Sequence, residues 1–230
     1  MWLKLFAVSL WSGMVALDTT AALQIMISQP LVACSVTGLI LGNLPMGLLV
    51  GIVFQLMWLA EIPAGATYTA EGNIGATAGT AIAILATEQT LRQSPTLALS
   101  ILLALGLSLL AGEGVILIRR INGSRYGALL REEQVNFEKV TRSHLSGLAL
   151  MFVMGFILTL FSSWLLGIHL LPMVVHRIPV AMDIWLQPLG SALLGLGCGV
   201  LLSLFYTRKE IASLLIGLVL GAAAIWLIAF

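Results

Sequence analysis

Gln55, Trp58, Glu61, Thr67, Tyr68, Thr69, Glu71 and Asn73 crowd into one stretch, Phe54 to Gly79, of an otherwise strongly apolar chain. Carboxylates, amides and hydroxyls grouped in this way bind polar solutes by donating and accepting hydrogen bonds. Trp58 or Tyr68 can cover an apolar ring face. The same stretch carries Pro63, Gly65, Gly72, Gly75 and Gly79, residues that interrupt a helix. An acidic side chain at the centre of a membrane helix costs about 2.5–3.5 kcal/mol. Irregular backbone survives at that depth only inside protein or beside a water-filled cavity. The expected chemistry is therefore recognition of a polar ligand, with Gln55, Trp58, Glu61, Thr67, Glu71 and Asn73 as candidates. An external loop with Glu61 and Glu71 simply wetted is the alternative. Asp18, alone between the first two apolar segments, fits either an interfacial helix end or a place near the solute path.

The chain contains no P-loop, no HExxH, no GxSxG and no paired nucleophile and base. No catalytic residue of its own is expected, and no cofactor. His144, His169 and His176 lack metal-ligand spacing, so no metal site is expected either. Cys34 and Cys198, far apart in uncharged runs, read as small packing residues.

Hydrophobic residues make up 60% of the 230 residues and charged ones 9%, and the mean hydropathy is +1.07. A soluble domain carries about 25% charged residues, and the apolar runs here are too long for barrel strands. The composition predicts an all-α, polytopic membrane protein forming a single domain over 1–230. A net charge of +1 leaves no nucleic-acid footprint.

Met1 to Leu17 reads as a first crossing with its N-terminus cytoplasmic, a signal-peptide-like pattern lacking a clear cleavage site. Thr19 to Ala60 has no charged residue and holds roughly two crossings. Within it Pro30 and Gly42-Asn43-Leu44-Pro45 mark turns. Gly38 with Gly42, and Gly47 with Gly51, have the spacing that lets helices pack closely. Glu113 fits snorkelling to the interface or pairing with Arg119. Arg119 to Arg142 holds Arg119, Arg120, Arg125, Arg131, Lys139 and Arg142, which the positive-inside rule places in the cytoplasm. The expected organisation is a substrate-site half at 1–118, a cytoplasmic loop at 119–144 and C-terminal helices at 145–230. The count is about seven crossings, with a broken or re-entrant helix pair around 45–87.

Over Asp18 and Gln29 to Ile84 the chain resembles the membrane subunit IIC of the mannose/fructose/sorbose family of the bacterial phosphotransferase system. The resemblance rests on Pro30-Leu31-Val32-Ala33-Cys34, Gly38 to Asn43, Gln55-Leu56, Gly65-Ala66 and Glu71. Asn43 and Glu71 stand where aspartate is common in that family. The resemblance implies a multi-pass inner-membrane permease that binds an external hexose-type sugar. It would move the sugar with a membrane partner, IID, in an oligomeric assembly. Cytoplasmic IIB, supplied by IIA, would phosphorylate it, with Gln55, Glu71 and then Asn73 contacting sugar hydroxyls. Two other readings of the same residues are a secondary transporter, with Glu61 or Glu71 carrying a coupled proton, and a non-transporting membrane scaffold.

Overall fold

The computed structural model describes residues 1–59, 70–131, 137–204 and 210–229. Among these the regular structure is helical, with no strand, as the composition predicts. The elements are α1 (Trp2–Thr20), α2 (Pro30–Leu41), α3 (Leu44–Trp58), α4 (Gly72–Thr90), α5 (Gln93–Leu129) and α6 (Phe137–Ser162). A π-helical stretch, Ser163–Leu170, carries α6 into α7 (Leu171–Arg177), and α8 (Asp183–Leu186), α9 (Leu189–Leu204) and α10 (Glu210–Ala229) follow. Gln93–Leu129, Phe137–Arg177 and Val180–Ser203 are long and apolar enough to cross a membrane.

α2 and α3 form a tight antiparallel hairpin, and the local chemistry explains it. Pro30 opens α2 at a position where the missing N–H is no loss. Gly42 closes it at φ 90°, a left-handed conformation suited to glycine. Asn43 then caps α3, its side chain accepting from Met46 N–H at 3.1 Å. A Cβ on Gly47 would lie 2.5 Å from the Cys34 carbonyl, and one on Gly51 would lie 3.0 Å from that of Pro30. Close backbone packing, which is what binds helices in lipid, is thus the purpose of these glycines.

α4 is the hub, with Ile74, Ala76, Ala78, Ala81, Ile82, Ala83, Ile84 and Ala86 all fully buried. Gly72, Gly75 and Gly79 are helical residues of α4, not the irregular backbone expected from sequence. A Cβ on Gly79 would run into Ala104 of α5, so these glycines exist for contact. The two halves expected around 45–87 do not lie end to end as one crossing. α3 ends and α4 begins beside each other, Trp58 against Gly72. α4 then runs back alongside α2, so that α3 and α4 are antiparallel, the re-entrant form of the expectation.

α5 continues unbroken through Arg119 and Arg120 to Leu129, and α6 starts at Phe137. Much of the basic stretch is thus helix. Glu113 is exposed on α5, and no ion pair with Arg119 forms among the described residues. α1 packs antiparallel to α6. The Phe6 and Phe156 rings stand 5.4 Å apart edge-on, Gly13 faces Phe152, and Leu17 and Ala21 pack against the cluster of Val115, Ile118 and Met151. Met1 and the basic stretch therefore lie at opposite ends of the bundle, which corrects the expectation that both are cytoplasmic. The cause is the reversal between α3 and α4, which the expectation counted together as one crossing. Single cysteines at 125 and 180 are expected to react with an impermeant thiol reagent from opposite sides of sealed vesicles, and one at position 4 from the same side as 180.

At the far end from the basic stretch, Arg92 pins the α4–α5 corner to the end of α7. Its guanidinium donates to the carbonyls of Val175 (2.7 Å) and Ile178 (2.8 Å) and pairs with Asp183. Hydrogen bonds made by a charged group are stronger than those between neutral partners. Arg92→Ala is expected to lower the melting midpoint of the purified protein by several degrees. Arg92→Lys should recover under half of the loss, since an ammonium cannot reproduce the planar fork. Equal melting of all three would refute the clamp.

Candidate functional site

The ends of α1 and α3 and the starts of α2 and α4 converge on a polar cavity of about 120 Å³. Thr19, Ser28, Gln29, Pro30, Gln55, Trp58, Glu71 and Asn73 are among its lining residues. Its depth follows from α5: the Glu71 backbone N–H donates to the Ser108 carbonyl at 2.9 Å. Ser108 lies about 18 Å along the helix from Thr96 and about 15 Å from Ile118, taking 1.5 Å per residue. The cavity thus sits near the middle of the apolar span, where polar groups are costly and mark solute paths.

Glu71 is the N-terminal cap residue of α4 and is 5% exposed. Its carboxylate has no hydrogen-bond partner among the described residues. Beside it, Asn73 donates to Thr19 Oγ1 at 3.4 Å, and that hydroxyl is itself committed to the Val15 carbonyl. The Trp58 indole lies over Gly72, with its Nε1 buried and unpaired. A buried donor left without an acceptor costs about 1–3 kcal/mol, which a ligand oxygen would recover. Gln55, near the end of α3, accepts from Leu31 N–H at 3.3 Å and donates to Gln29 Oε1 at 2.9 Å.

Asp18 is placed behind this cavity, not in it. It is 2% exposed, and its two oxygens accept from Ile25 N–H (2.7 Å) and Ser28 N–H (2.9 Å). Those bonds hold a segment in which Leu23, Gln24 and Met26 have positive φ, each costing about 1–2 kcal/mol. Asp18 thereby fixes Ser28 and Gln29 at the cavity wall. Glu61 and Thr67 lie outside the described residues. Of the remaining candidates, the structure brings Gln55, Trp58, Glu71 and Asn73 together. Sequence reading missed Thr19, Ser28 and Gln29 as lining residues. The signal for Gln29 was its place directly before Pro30, where a helix must begin.

The lining groups offer donors at Trp58 and the amides and acceptors at Glu71 and Asn73. Residues 2–228 match the family described as the sorbose-specific IIC component of the phosphotransferase system. The chain belongs to this family. That agrees with the mannose/fructose/sorbose resemblance of its motifs. Comparison with curated proteins finds no match. Among solved structures, this IIC chain is similar to one described only as "Structure of membrane protein". The TM-score is 0.73 at 19% identity, covering 100% of this chain and 92% of the other. It is also similar to a chain of the mannose transporter ManYZ, solved by cryo-electron microscopy in complex with microcin E492. There the TM-score is 0.60 at 17% identity, covering 96% of this chain and 87% of the other. At such identities the likeness is one of fold. The IIC family and the apolar helices together make this a membrane protein.

Proposed function

We propose that this IIC chain is the sugar-translocating subunit of an inner-membrane permease, and that the cavity between Gln29, Gln55, Trp58, Glu71 and Asn73 is its sugar site. The observation that carries the reading is an unpaired indole donor and a carboxylate without a hydrogen-bond partner among the described residues, on two residues that line one polar cavity near the middle of the span. Hydroxyl groups both accept and donate, so a hexose-type sugar satisfies both. At about 120 Å³ the cavity is smaller than the 300–1,000 Å³ usual for ligand sites. Loading then requires the four helix ends to part, as alternating access demands.

The membrane partner is IID, and a phosphohistidine of cytoplasmic IIB, fed by IIA, is the phosphoryl donor. The similarity to a chain of the mannose transporter ManYZ supports this reading. Sealed vesicles holding this chain with IID are the test, with the cytoplasmic components and phosphoenolpyruvate supplied on the cytoplasmic face. The expected result is uptake of labelled hexose recovered as the sugar phosphate and insensitive to collapse of the proton gradient. Unmodified sugar accumulating only with a gradient would instead establish a secondary transporter.

A further inference from the structure

The hydrogen bonds at the start of α2 have a fixed direction. Pro30 has no N–H, so Leu31 supplies the first donor of that helix, and such donors need a partner from outside the helix. Gln29, at the cap position, makes no side-chain cap. Gln55 takes the role from α3, and a backbone N–H can face only an oxygen, so Gln55 Oε1 is the atom at 3.3 Å from Leu31 N. Its amide nitrogen must then point at Gln29, which must present its own oxygen, 2.9 Å away. This leaves the Gln29 amide nitrogen as the end of the relay. Gln29 lines the cavity and is exposed, and this nitrogen has no acceptor among the described residues.

On the α4 side the direction is opposite. Asn73 uses its nitrogen on Thr19, so its oxygen is free to accept, as is the Glu71 carboxylate. The cavity therefore has a donating side, Gln29 Nε2 with Trp58 Nε1, and an accepting side, Glu71 with Asn73 Oδ1.

Resting on the sugar-site reading above, we infer that Gln29 is a specificity residue whose amide nitrogen donates to a ring-substituent oxygen of the sugar, selecting a neutral sugar there and rejecting a protonated amine. An ammonium has donors only, so it meets the accepting side well and the donating side badly. A hydroxyl meets both. A site built to hydrogen-bond a hydroxyl discriminates strongly against ligands that lack one.

Gln29→Glu isolates the point. Its carboxylate still accepts from Gln55, so the relay and the α2 cap survive, but the terminal donor becomes an acceptor. Phosphoenolpyruvate-dependent uptake is measured for the unmodified chain, Gln29→Glu and Gln29→Ala. The substrates are mannose, fructose and sorbose, with glucosamine, mannosamine and monodeoxy hexoses as competitors. For Gln29→Glu, KM for the transported sugar is expected to rise about tenfold or more with kcat within twofold. One monodeoxy competitor should lose the penalty, and an amino sugar should gain relative to its parent hexose. Gln29→Ala should share the KM rise without the gain by amino sugars. Unchanged KM and competitor ranking in Gln29→Glu overturn the inference. A fall in kcat equal for all sugars also overturns it, leaving Gln29 only a role in seating Gln55. Absence of sugar uptake by the unmodified chain overturns the sugar-site reading itself, which separates the two failures.

Discussion

Glu71→Gln is expected to weaken sugar binding by about 10- to 100-fold while the chain still folds and inserts. Three observations fix the size of the effect. The residue is 5% exposed, its backbone is pinned to Ser108 of α5, and its carboxylate has no hydrogen-bond partner among the described residues. A sugar hydroxyl donating to it makes a bond to a charged acceptor, worth about 1.5–3 kcal/mol, and 1.4 kcal/mol is a factor of ten in Kd. Glutamine keeps the shape and one acceptor oxygen but loses the charge. Equilibrium binding of labelled hexose to the purified complex with IID checks the prediction. A proton-coupled carrier would behave differently, keeping affinity in the Gln variant while losing gradient-driven uptake.

The second large effect is steric. A Cβ on Gly72 would come within 2.5 Å of Trp58 Cδ1 and Cε2, closer than any real contact. Gly72→Ala suits helix propensity, since alanine outranks glycine by about 1 kcal/mol. It must nevertheless displace the indole from its seat over the start of α4. The expected outcome is a more than tenfold loss of sugar affinity in a protein that melts no earlier than the unmodified one. Trp58→Ala alone removes the stacking face and the unpaired donor, and costs a similar factor. In the double variant the losses should be far from additive, because each removes the same contact. Full additivity would show that Gly72 and Trp58 act independently, against the packing described above.

Class and family were legible because they rest on bulk properties and short motifs. Long uncharged runs dictate membrane helices, and Pro30 to Cys34 with Gly38 to Asn43 carries the family pattern. Polar residues concentrated around 55–73 also announced the polar cavity, since lipid penalises them anywhere else. Direction along the chain was not legible. The Gly42-Asn43 turn shows itself, but hydropathy does not tell a helix that crosses from one that turns back within the bilayer. The expectation that α1 starts at the same end as the basic stretch failed for that reason. Glycines near Glu71 read as breaks because sequence cannot distinguish a glycine that bends backbone from one that admits a neighbour, as Gly79 admits Ala104. Asp18 drew attention as a rare charge, and only the fold shows both its oxygens spent on Ile25 and Ser28. Gln29 escaped notice because its meaning lies in the direction of a hydrogen-bond chain reaching across two helices.

The most direct test of the sugar site is photoaffinity labelling with a hexose carrying a small diazirine, applied to the intact complex with IID and read by peptide mapping. Protectable label is expected on Gln29, on the peptide spanning Gln55 to Trp58 and on that spanning Glu71 to Asn73. It should be removed by excess hexose and lost in Gly72→Ala. Protectable label confined to the groove at the basic end, lined by Asn122, Tyr126, His144 and Met151, with none near Glu71, would contradict the account.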